Sequence, residues 1–294
     1  MIVPNPIEET IVKKFARPIW HRFLKGIKEY GLIQEGDKIA VCISGGKDSM
    51  LMAQCMQRLQ RYSKFPFEVE FIVMNPGYNE RNREKIVENA ELLGVPIHMF
   101  ETKIFSAVKK IEQNPCYLCA RMRRGYLYHM AQELGCNKIA LGHHFDDVIE
   151  TILMGMLYGS QVQTMMPKIH SENFEGMQLI RPMYLIREAD IIAWKEYNHL
   201  EFIQCACLLT EKWTSENEIA NSKRQEIKML LRQLRKNNPA VDMNIFRSVE
   251  NVNLKTIISY HLGDEYHHFL DDFDEGITNH GTKSGEGRKE DSSC

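Results

Sequence analysis

No stretch of this 294-residue chain runs for about 18 apolar residues, so no segment is built to cross a membrane as a helix. The opening residues, MIVPNPIEETIVKKF, set acids before bases and hold no uninterrupted apolar run, so a secretory signal is not expected. The expected location is therefore the cytoplasm. Charge of one sign is also lacking: the formal net charge is −2, which neither attracts nor repels nucleic acid overall. A nucleic-acid binder of this composition needs its Lys and Arg gathered on one face. There is no internal repeat. Hydrophobic residues make up 44%, enough for a sizeable core, and one enlarged α/β domain is the simplest organisation for the length.

Disulfides rarely persist in the cytoplasm, which makes the eight cysteines informative. Cys42, Cys55 and Cys136 sit in apolar surroundings and read as small buried side chains, and Cys294 ends a polar tail. Four remain: Cys116, Cys119, Cys205 and Cys207.

Apolar residues at Ile11, Phe15, Ile19, Phe23 and Ile27 predict a helix over 7–33. KIAVCIS, 38–44, is nearly all apolar, as a parallel strand buried on both faces would be. Further strands are expected at 68–75, 96–102, 138–144 and 179–184, with helices near 48–62, 79–93, 117–134 and 146–158. Strand and helix in turn imply right-handed βαβ units, hence a doubly wound, mostly parallel five-stranded sheet whose site lies at the strands' carboxyl ends. The expected organisation is an N-terminal helical segment (1–36), the α/β domain (37–185) and a helical extension (186–265) whose last helix spans 243–260. A tail rich in Gly, Ser and charge (266–294) is expected to be disordered.

Ser44-Gly45-Gly46-Lys47-Asp48-Ser49 falls between a buried strand and a helix. Adjacent glycines allow a tight turn that brings bare N–H groups against an anion, and the helix adds its own free N–H groups and positive dipole end. Lys47 supplies charge, and Ser44 and Ser49 can donate hydroxyl hydrogens. Asp48 would repel a polyphosphate unless a cation lies between, so it reads as a Mg²⁺ ligand or as an orienting group. The spacing is not that of a Walker A loop, which points away from γ-phosphate transfer. The motif resembles that of the PP-loop ATP pyrophosphatases, which include lysidine synthetase and tRNA thiolases. The resemblance implies ATP cleavage between the α and β phosphates.

Leu141-Gly142-His143-His144-Phe145-Asp146-Asp147 opens the next helix, where neighbouring carboxylates are tolerated because the dipole favours them. It is similar to the GHxxDDxxET element of lysidine synthetase and tRNA thiolases. That likeness implies Gly142 and His143 beside the nucleotide, and Asp146 or Asp147 near the metal or the helix cap. Asp146, with Asp48, is the candidate magnesium ligand.

Cys116 and Cys119 lie one turn apart at a helix start beside Arg121, Arg123 and Arg124, a setting that lowers thiol pKa values. From spacing alone, a redox pair, half of a zinc site and part of an iron–sulfur cluster remain open. No second CxxC follows, only Cys205-Ala206-Cys207. Here the chain resembles the tRNA 2-thiocytidine biosynthesis protein family, through PCYLCARMRRGYLY, EGDKIAVCISGGKDS, LGHHFDDVIETILMGMLYG and SKRQEIKMLLRQLRKNNP. The resemblance implies a 4Fe–4S cluster on Cys116, Cys119 and a third cysteine. Glu201-Phe202-Ile203-Gln204 aligns Cys205 with that third ligand, and Cys207 is the alternative. It also implies tRNA as substrate, with cytidine 32 converted to 2-thiocytidine, a cysteine desulfurase as sulfur source, and a homodimer. Rival expectations are thiolation of another base such as uridine, a phosphosulfate-reductase-like redox enzyme, and a non-catalytic nucleotide sensor. Two basic stretches, Arg121–Arg124 and Ser222–Lys236, read either as solvated helix faces or as contacts for RNA phosphates.

Overall fold

The computed structural model describes residues 5–108, 115–203, 223–271 and 273. β1 (Lys38–Ile43) is the pivot of a six-stranded sheet ordered β3-β2-β1-β4-β6-β5, with β2 at Glu68–Asn75, β3 at Ile97–Glu101 and β4 at Lys138–Ala140. β5 (Lys168–His170) and β6 (Gln178–Ile180) complete it. β1 pairs in parallel with β2 on one side, where Val41 faces Phe71, and with β4 on the other, where it faces Ala140. The chain leaves β1 in one direction for β2 and β3, then returns across it to β4. The strand order thus reverses between β1 and β4, the place where such sheets open a crevice.

The apolar run of β1 serves two cores. Ile39, Val41 and Ile43 point to one face, with Met50, Met52 and Trp194, whereas Ala40 and Cys42 point to the other, with Tyr128, Ile139 and Leu179. That is the period-2 consequence of a strand covered on both sides. The first core also takes Ile11, Phe23 and Ile191, so α1 (Pro6–Lys13), α2 (His21–Glu29) and α8 (Glu188–Tyr197) belong to the same body as the sheet. The chain divides into two compact units, 1–246 and 247–294.

The five expected strands are present, and the sheet is mostly parallel. Four local expectations need correction. Pro18 interrupts the single helix foreseen over 7–33: without an N–H and with a ring that crowds the preceding turn, it is accommodated in a π-helical turn, Ala16–Trp20, between α1 and α2. A sixth strand, β5, joins the edge antiparallel to β6. The helix expected over 243–260 stops at Ser248, in α10 (Val241–Ser248). Beyond it, β7 (Ser259–Leu262) and β8 (Glu265–His268) form a hairpin through a two-residue loop whose Gly263 has φ 64°. Residues 266–268, assigned to the tail from sequence, thus belong to a strand; the tail from 274 onward lies outside the described residues.

No helix among the described residues is long and apolar enough to cross a membrane.

Candidate nucleotide site

β1 delivers Ser44-Gly45-Gly46 directly to α3 (Lys47–Tyr62). Gly45 has φ +85°, and a Cβ there would lie 2.6 Å from Ile86 Cγ1 and 2.7 Å from Ile203 Cδ1. Only glycine fits both the conformation and the space. Gly46 caps α3 without any side-chain hydrogen bond, which leaves the first-turn N–H groups open to an anion. The serines do something other than donate outward. The Ser44 N–H and hydroxyl both donate to Ser49 Oγ at 3.1 Å, and the Ser49 hydroxyl donates to the Gly46 carbonyl at 3.0 Å. Ser49, buried, therefore ties the loop into shape.

Lys47 Nζ is held between Asp48 at 3.1 Å and Glu188 at 3.0 Å. Asp48 Oδ1 is buried and has charge contacts with Lys47 and, at 3.8 Å, with His144 Nε2, but no hydrogen-bond partner. A carboxylate oxygen left in that state suits a cation. One carboxylate together with substrate phosphates is a usual ligand set for Mg²⁺.

The second motif meets the first by close backbone approach. A Cβ on Gly142 would lie 3.2 Å from Ser49 N and Cα, so glycine lets the loop after β4 pack on the first turn of α3. His144 then caps α7 (Phe145–Gly159). Its Nδ1 accepts the Asp147 N–H, while Asp147 Oδ2 accepts the His144 N–H at 3.0 Å. Asp146 turns away from the nucleotide side. Its Oδ2 accepts the Glu188 N–H at 2.7 Å and its Oδ1 accepts from Arg235 at 2.6 Å, so both oxygens are taken. Of the two carboxylates it is Asp147 that faces the same cavity as Asp48.

That cavity, of about 380 Å³, is lined by Ser44, Asp48, Gly142 and His143, and on its far wall by Ala120, Arg123 and Arg124 of α6 (Pro115–Glu133). The helix carrying the CxxC is thus one wall of the phosphate-loop cavity. Cys119 is buried with Met74, Ile104 and Phe105. Cys205 and Cys207 lie outside the described residues, as does the Cys116 side chain. Among the described residues no three His, Cys, Asp or Glu side chains are grouped to hold a metal. The chain leading to Cys205 is nevertheless anchored at the loop. Asn89 Nδ2 donates to the Glu201 carbonyl at 2.9 Å, and Ile203 packs on Gly45.

The second basic stretch is paired in part: Arg224, Lys228 and Arg235 meet carboxylates of the protein, whereas Lys223, Arg232 and Lys236 are exposed. On α9 (Lys223–Asn237), Arg224 reaches Glu150 at 3.3 Å, Lys228 reaches Glu188 at 3.6 Å, and Arg235 pairs with Asp146 and Asp242. Glu150 is buried, and that burial raises its pKa above the ordinary value even with Lys228 and Arg224 beside it. Glu188 is the residue most plainly missed in the sequence. Its only local signal is an acid in a helix's first turn, and nothing in the spacing links it to Lys47.

His143 faces the cavity with a buried Nδ1 that has no hydrogen-bond partner. Burial, aided by the Arg181 charge, pushes its pKa down to about 4. An unfolded histidine takes its proton near pH 6.5. Between those values the unfolded chain binds more protons, so stability falls as the pH drops from about 6.5 to 4. The loss amounts to at most about 3 kcal/mol and is absent above that window. Denaturant unfolding at pH 7 and pH 4.5 is expected to show it, and His143→Asn to remove that part of the slope. Equal slopes in the two proteins would contradict the assignment.

A phosphate loop without Walker spacing, at the switch point of a doubly wound sheet, defines a class, and a model of that class, the PP-loop domain, matches residues 13–219. Curated relatives narrow it further. The tRNA-cytidine(32) 2-sulfurtransferase of Alcanivorax borkumensis is 36% identical over 251 residues, covering 83% of this chain and 84% of that protein. The protein of the same name from Geobacter sulfurreducens is 32% identical over 242 residues, covering 81% and 91%. The chain belongs to the PP-loop family and, within it, to the family of the tRNA-cytidine(32) 2-sulfurtransferases. Its fold is similar to that of the U34-tRNA thiolase NcsA from Methanococcus maripaludis, solved with its [4Fe-4S] cluster. The TM-score is 0.61 at 22% identity, over 87% of this chain and 84% of that one.

Proposed function

We propose that this protein is an ATP-dependent tRNA thiolase that converts cytidine 32 to 2-thiocytidine in the cytoplasm. The observation that carries this reading is the shared cavity: the phosphate loop forms one wall, and the helix bearing Cys116 and Cys119 forms the other. The open N–H groups after Gly45 and the Lys47 ammonium take the β and γ phosphates. Charge that develops as pyrophosphate departs then falls on groups already in position. The C2 oxygen of the base attacks the α phosphorus; the new O–P bond forms as the Pα–O–Pβ bridge breaks. AMP is then a good leaving group at C2, where a sulfur nucleophile replaces it. His143, neutral at physiological pH, adds no charge to the cavity wall and can exchange a hydrogen bond with nucleotide or base.

Asp48, whose buried Oδ1 has no hydrogen-bond partner, is the residue that would hold Mg²⁺. For iron, the donor set fits: Cys119 is buried among apolar side chains that exclude water, Cys116 lies one turn earlier, and Cys205 follows Ile203 by two residues. When bound on these three, with Cys207 as the alternative third ligand, a 4Fe–4S cluster would supply the sulfur chemistry. A cysteine desulfurase as sulfur source and a homodimeric assembly belong to the same proposal.

The test is anaerobic reconstitution, followed by tRNA, ATP and a sulfide source, with pyrophosphate and modified nucleosides both measured. Wild type is expected to release pyrophosphate only with tRNA present and to form 2-thiocytidine. Cys119→Ser is expected to keep the first activity and lose the second. Cys205→Ala is expected to lose bound iron, while Cys207→Ala keeps it. Pyrophosphate release indifferent to tRNA would sink the adenylation step, and 2-thiouridine in place of 2-thiocytidine would move the substrate to uridine.

A further inference from the structure

The two basic stretches are paired to different extents. On α9, Arg224, Lys228 and Arg235 are neutralised by Asp146, Glu150, Glu188 and Asp242, while Lys223, Arg232 and Lys236 stay exposed. On α6, the ion pair found among the described residues is His129 with Glu133, at the far end; no described carboxylate forms an ion pair with Arg121, Arg123 or Arg124. Arg121 and Arg124 are exposed. Cationic side chains that no described carboxylate neutralises are open to an external anion.

These arginines border a second cavity. It measures about 740 Å³ and lies on the outer side of α6, facing β5 and the turn after it. Arg121, Arg124 and Gly125 form one wall, and His170, Ser171 and Asn173 the other, with Glu172 as the acidic member. Its floor is aromatic: the rings of Tyr128 and Phe174 stack with centroids 4.9 Å apart. This groove and the phosphate-loop cavity share Ala120 and Arg124, so they adjoin along a single turn of α6. Arg181, buried beside Arg124, adds positive potential from below. Burial first, then the neighbouring Arg124, lower its pKa to about 10, which still leaves it charged.

We infer that the groove outside α6 is the docking surface for the RNA strand that carries the target base, with Arg121 and Arg124 on its phosphates. This rests on the tRNA reading above and deepens it. A strand held there has its base one helix-turn from the phosphate loop, across Ala120. Arginines that no described carboxylate pairs with, beside the half-buried ring of Phe174, are what a single-stranded nucleic acid uses: charge for the backbone, a ring for a base. The antiparallel edge strand β5 gains a role in this account, since it and the turn after it build the opposite wall.

The experiment is fluorescence anisotropy with a labelled, unmodified anticodon stem–loop RNA carrying cytidine 32, at several salt concentrations. It compares wild type with Arg121→Glu, Arg121→Lys and, as a control of equal charge change, Lys236→Glu on α9. Arg121→Glu is expected to weaken RNA binding by about tenfold or more and to lower the salt dependence by about one phosphate contact. Arg121→Lys is expected to retain most of the affinity, and Lys236→Glu all of it. A fluorescent ATP analogue should bind Arg121→Glu as it binds wild type, because Arg121 does not line the phosphate-loop cavity. Unchanged RNA binding in Arg121→Glu, or equal loss in the Lys236→Glu control, would overturn the groove assignment while leaving the tRNA reading intact. Intact RNA binding with loss of sulfur delivery from a desulfurase would overturn it in favour of a protein partner. A wild type that binds ATP but no RNA would overturn the tRNA reading itself.

Discussion

Gly45→Ala will abolish tRNA-dependent pyrophosphate release and lower the melting temperature, whereas Gly46→Ala, one residue on, will leave the melting temperature where it is. The contrast follows from backbone geometry. Gly45 sits at φ +85°, where a side chain costs roughly 1–3 kcal/mol before any contact is counted. The added carbon would also stand 2.6 Å from Ile86 Cγ1, and Ile86 is fully buried and cannot swing away. Together the two effects come to about 3 kcal/mol, or roughly 5–10 °C in Tm for a chain of this size. Gly46 has φ −83° and its nearest neighbour, Ser44 Oγ, lies 3.7 Å from where a Cβ would be. Any functional loss in Gly46→Ala therefore reports exclusion of phosphate and not a distorted loop. Thermal melts and ATP binding for both variants decide the matter; a Gly45→Ala protein as stable as wild type would refute this account of the loop.

Lys47→Ala is expected to slow pyrophosphate release by roughly 10²–10³-fold, the usual cost of removing one preorganised charge from a developing anion. Burial works against the Lys47 charge, but Asp48 and Glu188 outweigh it and raise its pKa above the ordinary lysine value. It is therefore protonated wherever the enzyme is folded. Removing it also strips the cation shared by two carboxylates, so ATP would meet uncompensated negative charge beside the loop. Lys47→Arg keeps the charge but spreads it over a planar fork, and is expected to recover only part of the rate. Single-turnover pyrophosphate release separates this from a binding defect. A Lys47→Ala rate within a few-fold of wild type at saturating ATP would show that the loop N–H groups suffice alone.

Much of this fold is legible in the sequence because its informative segments are local. A nearly all apolar seven-residue segment followed by two glycines and a lysine can hardly be other than a buried strand entering an anion-binding helix. The corresponding signals at 138–144 place the second motif at the same sheet edge. The hairpin of β7 and β8 is also written locally, in Gly263-Asp264 between SYHL and EYHH, but the helical spacing that begins near Met243 masks it in the sequence. β5 gave no comparable signal, since three half-exposed residues on an edge have neither an apolar run nor a usable period.

The sequence by itself determined five of the strands of the main sheet with the helices between them, the non-Walker phosphate loop and the pairing of that loop with the Gly142–Asp147 motif. Each of these depends on neighbours within a few positions, where backbone sterics and apolar periodicity act. Tertiary structure alone decided that Asp146 is spent on Glu188 and Arg235 while Asp147 faces the cavity, since adjacent residues on a helix point about 100° apart. It also decided that Glu188 holds Lys47, and that Arg224, Lys228 and Arg235 are paired whereas no described carboxylate pairs with Arg121, Arg123 or Arg124. The reason is physical: whether a charge is free depends on which opposite charge the fold brings within a few ångströms, and most of those partners lie about 40 to 140 residues away in the chain.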